Sequence, residues 1–171
     1  YFYREVLKID ASTDIKTFIS FAKKEKVIFI KPIGGSYGIG AFRYSYDEAT
    51  VNETFARLSK PEARYIAEGL IVQSEVMSGW NVSSVNTVRI PTILNNNGFH
   101  VLGCFMRTGR EGFVVDNAGA GGILAAVDDV TGHVISDGFD ERGKVYQTHP
   151  DSNIQFKNFQ LPDWSRLLQI A

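Results

Sequence analysis

Hydrophobic positions recur at helical spacing in residues 14–26, DIKTFISFAKKEK, where Ile15, Phe18, Phe21 and Ala22 share one face and lysines fill the last turn. Ser12 or Thr13 is the expected cap. VIFI at 27–30 reads as a short buried strand closed by Lys31-Pro32, and AFRYSY at 41–46 alternates like a second strand. Strand, glycine-rich segment and strand together predict a hairpin. Residues 47–58 predict a helix starting near Ser45 or Asp47, with Phe55 and Leu58 facing inward. A helical turn is expected over 62–68, followed by another buried strand in GLIVQSEV.

After Trp80 the pattern becomes strand-rich. NTVRIPTIL and FHVLGCFMRTG flank NNNG, the strongest hairpin signal in the chain. GFVVDNAGAGGILAAVDDVTGHVI continues as strand pieces broken by glycines, and the tail predicts a helix starting near Pro162. No internal repeat or low-complexity linker interrupts this order. The pattern predicts an α+β protein of two lobes, residues 1–74 and 75–171, meeting near 73–80.

Composition narrows the classes. The 171 residues are 44% hydrophobic and 22% charged, with a net charge of −1, which suits a folded core rather than a disordered segment. No apolar run reaches the roughly 20 residues of a membrane span, and the near-neutral balance argues against a nucleic-acid surface. The single cysteine, Cys104, rules out an internal disulfide and a Cys-rich zinc site. It makes a reducing, cytoplasmic location the expectation. The chain starts at Tyr1 rather than methionine, and truncation at both ends is expected.

Chemistry concentrates first in KPIGGSYGIGAF, residues 31–42. A GxxxxGK[ST] phosphate loop needs its lysine after the glycines, and a dinucleotide fingerprint needs them to open a helix. A kinase-type loop needs its lysine on a later strand. Here Lys31 ends a strand and the glycines follow. Such a loop can fold over phosphates, because glycine lets backbone N–H groups converge, with Lys31 below as a point charge. A plain hairpin with a snorkelling lysine fits this stretch equally well. Further on, Arg89 and Arg107 lie on the two arms of the hairpin and are expected on one face, where guanidinium forks could meet a phosphate. Asp116-Asn117 precedes a second glycine loop, VVDNAGAGG, and alone would read as a turn-forming pair.

In this order the motifs resemble the ATP-grasp superfamily. FIKP with GGSYGIG is similar to its lysine strand and glycine lid, IVQSEV to its interlobe hinge, VRIPTI with GFHVLGCFMRTG to its arginine hairpin, and VDNAGAGG to the asparagine-and-GG loop that follows. SVNTVRI, VDNAGAGGI, DVTGHV and THPDSNIQFKNFQLPDW resemble more specifically the sugar-transfer-associated, hexapeptide-transferase-linked branch. The resemblance implies two α+β lobes with ATP bound between them, adenine lying against the backbone near Gln73 to Val76, and Gln73 or Glu75 reaching the ribose or adenine amine. It implies Lys31 on the α- and β-phosphates, the amides of Gly35, Ser36 and Gly38 closing above, and Arg89, Arg107 and Asn117 as the catalytic set. The implied reaction activates a carboxylate as an acyl phosphate, which an amine or other nucleophile attacks. The implied partners are small-molecule carboxylates and nucleophiles, including a sugar or glycan precursor of surface polysaccharide.

The family's usual late E-x-N metal motif does not occur after Asn117. The implied Mg²⁺ therefore has Asp116 as its one candidate ligand here, with the main ligands expected beyond Ala171. The missing motif also motivates a rival reading, a noncatalytic nucleotide- or glycan-precursor-binding module. A third is a structural α+β domain whose glycine loops are only turns. His149 reads as structural or as part of an acceptor site. Trp80 and Trp164 read as packing anchors, and Cys104 as a small core residue.

Overall fold

The apolar stripe of the first helix explains the architecture of the first half of the chain. The computed structural model describes residues 4–36 and 38–171, so residues 1–3 and Tyr37 of the glycine loop lie outside the described residues. β1 (Val6–Ile9) leads into α1 (Ile15–Glu25), whose Phe18, Phe21 and Ala22 are buried. β2 (Val27–Pro32), β3 (Phe42–Ser45), α2 (Val51–Leu58) and β4 (Tyr65–Gly69) follow. The strands form an antiparallel sheet in the order β1-β4-β2-β3. Strand alternation sends Ile9, Ile28, Ile30, Tyr44 and Ala67 to one face, where they pack with Phe18, Phe21, Ala22, Val51 and Leu58 of the helices. The register puts Lys31, Glu68 and Arg43 on the opposite face.

Several local expectations change. The helical turn over 62–68 is instead β4, because Tyr65–Gly69 pairs with both β1 and β2. The strand expected in GLIVQSEV is absent beyond Gly69. Residues 70–74 carry no regular structure, and Glu75–Ser78 forms a short helix, α3, capped by the Ser74 hydroxyl accepting from Met77 N. α1 has Asp14, not Ser12 or Thr13, at its N-cap; Thr13 Oγ1 instead accepts from Asp10 N at 2.9 Å. α2 starts at Val51 because Asp47 first closes a turn, accepting from Ala49 N and the Thr50 hydroxyl.

From Gln73 onward a second compact unit forms, the first ending at Val72. Its elements are β5 (Thr87–Arg89), β6 (Thr92–Asn95), β7 (Gly98–Val101), β8 (Cys104–Thr108), a 3-10 turn (Ala118–Ala120), β9 (Ile123–Val127), β10 (Gly138–Phe139), β11 (Val145–Tyr146) and α4 (Trp164–Ile170). The sheet order is β11-β10-β9-β8-β5, and β6-β7 pairs by itself. The hairpin around residue 96 thus divides into two short paired segments rather than one long pair. The core gathers Met106, Ile123, Ala125 and Val127 against Trp80, Phe156, Leu161 and Trp164. Trp80 is fully buried, Trp164 and Cys104 nearly so, which is the packing role expected of all three.

Candidate functional site

In the first unit the site residues share the sheet face turned away from the helices. Lys31 lies opposite Ile66, while Glu68 lies opposite Phe29 on the same face. The Lys31 ammonium meets the Glu68 carboxylate at 2.8 Å, and the other Glu68 oxygen lies 3.7 Å from Arg4. Lys31 remains 42% exposed against 15% for Glu68, so the carboxylate anchors the lysine while its ammonium still faces solvent. The glycine loop turns through Gly34, Gly38 and Gly40, all at positive φ that other L-residues resist. Ile39 N donates to Ser36 O and Ala41 N to Gly38 O. The N–H groups of Gly35, Ser36 and Gly38 donate to none of the described residues. A cation beside a loop whose N–H groups are not engaged by the described residues fits an anionic phosphate chain.

In the second unit the β5–β8 register sets Thr87 opposite Arg107 and Arg89 opposite Phe105, so both arginines project from one sheet face. Their environments differ. Arg89 is exposed and makes no hydrogen bond or ion pair among the described residues. Arg107 is held on three sides. Its Nε and Nη2 donate to Thr87 Oγ1 at 3.0 and 2.9 Å, and its Nη1 donates to Asn117 Oδ1 at 2.8 Å. Asp116 Oδ2 accepts from the Thr87 hydroxyl and lies 3.4 Å from Arg107 Nε. The guanidinium is thereby oriented, partly desolvated at 18% exposure, and left with N–H donors on Nη1 and Nη2 not engaged by these bonds.

The loop presenting Asp116 and Asn117 is tightly wound. Ala120 N and Gly122 N both donate to Asn117 O, and Gly122 passes so near Asp116 that a Cβ there would lie 2.2 Å from the Asp116 carbonyl oxygen. Only glycine permits that approach, which explains the GG pair in VDNAGAGG.

Four expected site residues behave differently. The polar atoms of Gln73 are directed into the protein: its Nε2 donates to Asn86 O at 2.6 Å and its Oε1 accepts from Asn86 N at 3.0 Å. This backbone-like pairing fixes the start of the second unit. Glu75 and Val76 lie in α3 rather than on a hinge strand, and the Glu75 carbonyl accepts from Gly79 N. Asp116 is buried, and its Oδ2 already serves Thr87 and Arg107. Among the described residues no group of three or more His, Cys, Asp or Glu side chains could hold a metal ion, so the residues described here do not fit a Mg²⁺ centre.

His149 is fully buried. Its Nε2 lies 2.8 Å from the Gly109 carbonyl, Asp151 N and Ser152 N approach Nδ1, and its ring meets Trp80 edge-on. Burial pushes its pKa below the ordinary 6.5, against the Gly109 hydrogen bond and the Asp151 charge. A neutral ring donating from Nε2 satisfies all three contacts, which makes His149 a structural anchor. Sequence reasoning missed Thr87, Glu68 and Asn86. The first two carried a usable signal, each lying two residues from, or diagonally across the sheet from, a predicted basic residue on the same face.

Two antiparallel sheets, one with a lysine strand running into a glycine loop and the other with an arginine braced by an asparagine-and-GG loop, make this an ATP-grasp fold. Residues 3–171 match the family described as Sugar-transfer associated ATP-grasp, and the chain belongs to that family. No curated protein gives a significant match. Among solved structures the chain is similar to D-alanyl-alanine synthetase A from Vibrio cholerae O1 biovar eltor str. N16961, with 12% identity and a TM-score of 0.42. That alignment covers 64% of this chain and 29% of the synthetase, so the chain spans less than a third of its length. No helix among the described residues is long and apolar enough to cross a membrane.

Proposed function

We propose that the chain is an ATP-dependent, ligase-type domain that activates a carboxylate as an acyl phosphate. The observation that supports this best is the orientation of Arg107, whose guanidinium is braced by Thr87, Asn117 and Asp116 with N–H donors left over. A braced cation needs little reorganisation as charge develops on a transferring phosphoryl group. Lys31 and the amides of Gly35, Ser36 and Gly38 serve the α- and β-phosphates, and Arg89 adds an exposed second cation. In the step, a carboxylate oxygen attacks the γ-phosphorus and the bond to the β–γ bridging oxygen breaks, its electrons leaving with ADP. An amine or other nucleophile then attacks the acyl carbon, and inorganic phosphate departs. Family membership favours a sugar or glycan precursor of surface polysaccharide as one partner, handled in the cytoplasm.

One observation favours the rival of a noncatalytic nucleotide-binding module: Asp116 is engaged by Thr87 and Arg107, and the described residues form no metal-binding cluster. Calorimetry with ATP and MgCl₂, followed by an ADP-release assay with candidate carboxylates, separates the two. The ligase reading expects ATP binding that Lys31→Ala and Arg107→Ala each weaken by about tenfold, the scale of one lost charge-assisted contact. It also expects ADP release that rises with a carboxylate and falls further in Arg107→Ala. ATP binding with no ADP release from any carboxylate supports the module, and wild-type binding by both variants overturns the site assignment.

A further inference from the structure

The segment that leaves β8, Gly109 to Glu111, is held far more firmly than a surface turn requires. Gly109 N donates to Oδ1 of the buried Asn86 at 3.2 Å, and Gly109 O accepts from the buried His149 at 2.8 Å. Glu111 N donates to Asp151 Oδ2 at 2.7 Å, and that same oxygen accepts from Asn81 Nδ2 at 3.1 Å. Glu111 takes a positive φ of 53°, a conformation costly for a residue with a Cβ. The buried Asn86 and His149 at one end, and Asp151 held by the buried Asn81 at the other, therefore fix a three-residue segment whose middle residue is Arg110.

The Arg110 side chain shows what this fixing achieves. Its Nε donates to the Gly121 carbonyl at 2.6 Å, its Nη1 donates to the Tyr146 hydroxyl, and its Nη2 lies 3.4 Å from Asp140 Oδ2. The guanidinium also lies 5.2 Å from the centre of the Tyr146 ring. Tyr146 OH donates on to Asp140 at 3.0 Å, closing a triangle. Asp140 and Arg110 are only 5% and 15% exposed. Gly121 closes the 3-10 turn in the left-handed region at φ 91°, and Gly122 N returns to Asn117 O. A pull on the Gly121 carbonyl is therefore transmitted through one short turn to Asn117, which holds Arg107 Nη1.

We infer that Arg110 is a positioning residue for Arg107, acting through the 116–122 loop. Asp140 and Tyr146 orient Arg110 and the His149–Asp151 stretch fixes its backbone. This rests on the reading of Arg107 as the phosphate-facing cation, and it gives the His149-Pro150-Asp151 stretch a task away from any ligand. A role confined to stability predicts no change at Arg107 itself, which makes the two separable.

The test uses the full chain with ¹⁵N-arginine labelling, ATP calorimetry and thermal denaturation on wild type, Arg110→Ala, Arg110→Lys, Tyr146→Phe, Arg107→Ala and the double variant R107A/R110A. The Arg107 Nε–H resonance is identified by its loss in Arg107→Ala. The expected results are a shifted or broadened Arg107 resonance in folded Arg110→Ala and an ATP affinity about tenfold weaker, the scale of one lost charge-assisted contact. Arg110→Lys should recover part of both, Tyr146→Phe should move both less, and R107A/R110A should bind ATP no more weakly than Arg107→Ala. If Arg110→Ala does not fold, Arg110→Lys and Tyr146→Phe carry the same test. An unchanged Arg107 resonance in folded variants, or equal losses of affinity with and without Arg107, overturns the inference. If Arg107→Ala binds ATP as wild type does, the phosphate-facing reading fails, and the Arg107 resonance still decides whether Arg110 positions it.

Discussion

Gly122→Ala tests the loop that braces Arg107. The added Cβ would lie 2.2 Å from the Asp116 carbonyl oxygen, 2.6 Å from its carbon and 2.9 Å from the carbonyl carbon of Asn117. All three atoms are backbone, so no side chain can rotate away and the loop itself must move. Overpacking of this kind costs about 1–3 kcal/mol. Losing the Asn117 bond to Arg107, a hydrogen bond to a charged group, adds about 1.5 kcal/mol or more. The expected loss is about 3 kcal/mol, or roughly 12–24 °C in Tm for a cooperative unit of about 100 residues. Gly112→Ala is the control. Gly112 has φ 76° with nothing within 4 Å of an added Cβ, so that substitution carries only backbone strain of about 1–2 kcal/mol. Urea denaturation of both variants, with ATP calorimetry, reads the difference. If Gly122→Ala is no more destabilised than Gly112→Ala, close approach is not what the loop requires. A destabilised Gly122→Ala that binds ATP with wild-type affinity would break the proposed link between the loop and Arg107.

Two further predictions concern groups buried in the second unit. Thr108 is fully buried and its hydroxyl has no partner among the described residues. The near-isosteric Thr108→Val should therefore stabilise the protein by about 1 kcal/mol, read as a rise in Tm by calorimetry; a fall would show that the hydroxyl is satisfied. His149 has a pKa lowered from 6.5, chiefly by burial. The unfolded chain therefore binds its proton more readily than the folded one. Stability should be level above about pH 7 and decline as pH falls from 6.5 towards the lowered value. Urea midpoints between pH 8 and 5 should show this slope in wild type and lose it in His149→Gln; an equal slope in both would assign the proton elsewhere.

Local pattern carried the first unit well where one residue's neighbours in sequence are also its neighbours in space. The stripe Ile15, Phe18, Phe21, Ala22 formed α1, and the VIFI run formed most of β2. Reading failed between Ala63 and Val76. Tyr65–Gly69 contains Ala, Glu and Gly, poor strand formers, and became β4 only because β1 and β2 supply hydrogen-bond partners on both sides. The apolar run Leu70-Ile71-Val72 has no such partner and stays exposed.

By itself the sequence determined the order of the chemistry: a lysine at a strand end, glycines after it, arginines on a hairpin, then Asp-Asn before a second glycine loop. Spacing and alternation suffice for that, since strand register follows a period of two. The tertiary structure decided what each group is free to do. Lys31 is paired with Glu68, and Arg107 is braced where Arg89 is exposed. Gln73 is turned onto Asn86, and His149 is sealed against Gly109 and Trp80. These outcomes depend on partners 10 to 40 residues away, and farther still for Trp80 and His149. A buried polar group must find a partner wherever the fold brings one, and no local pattern along the chain names it.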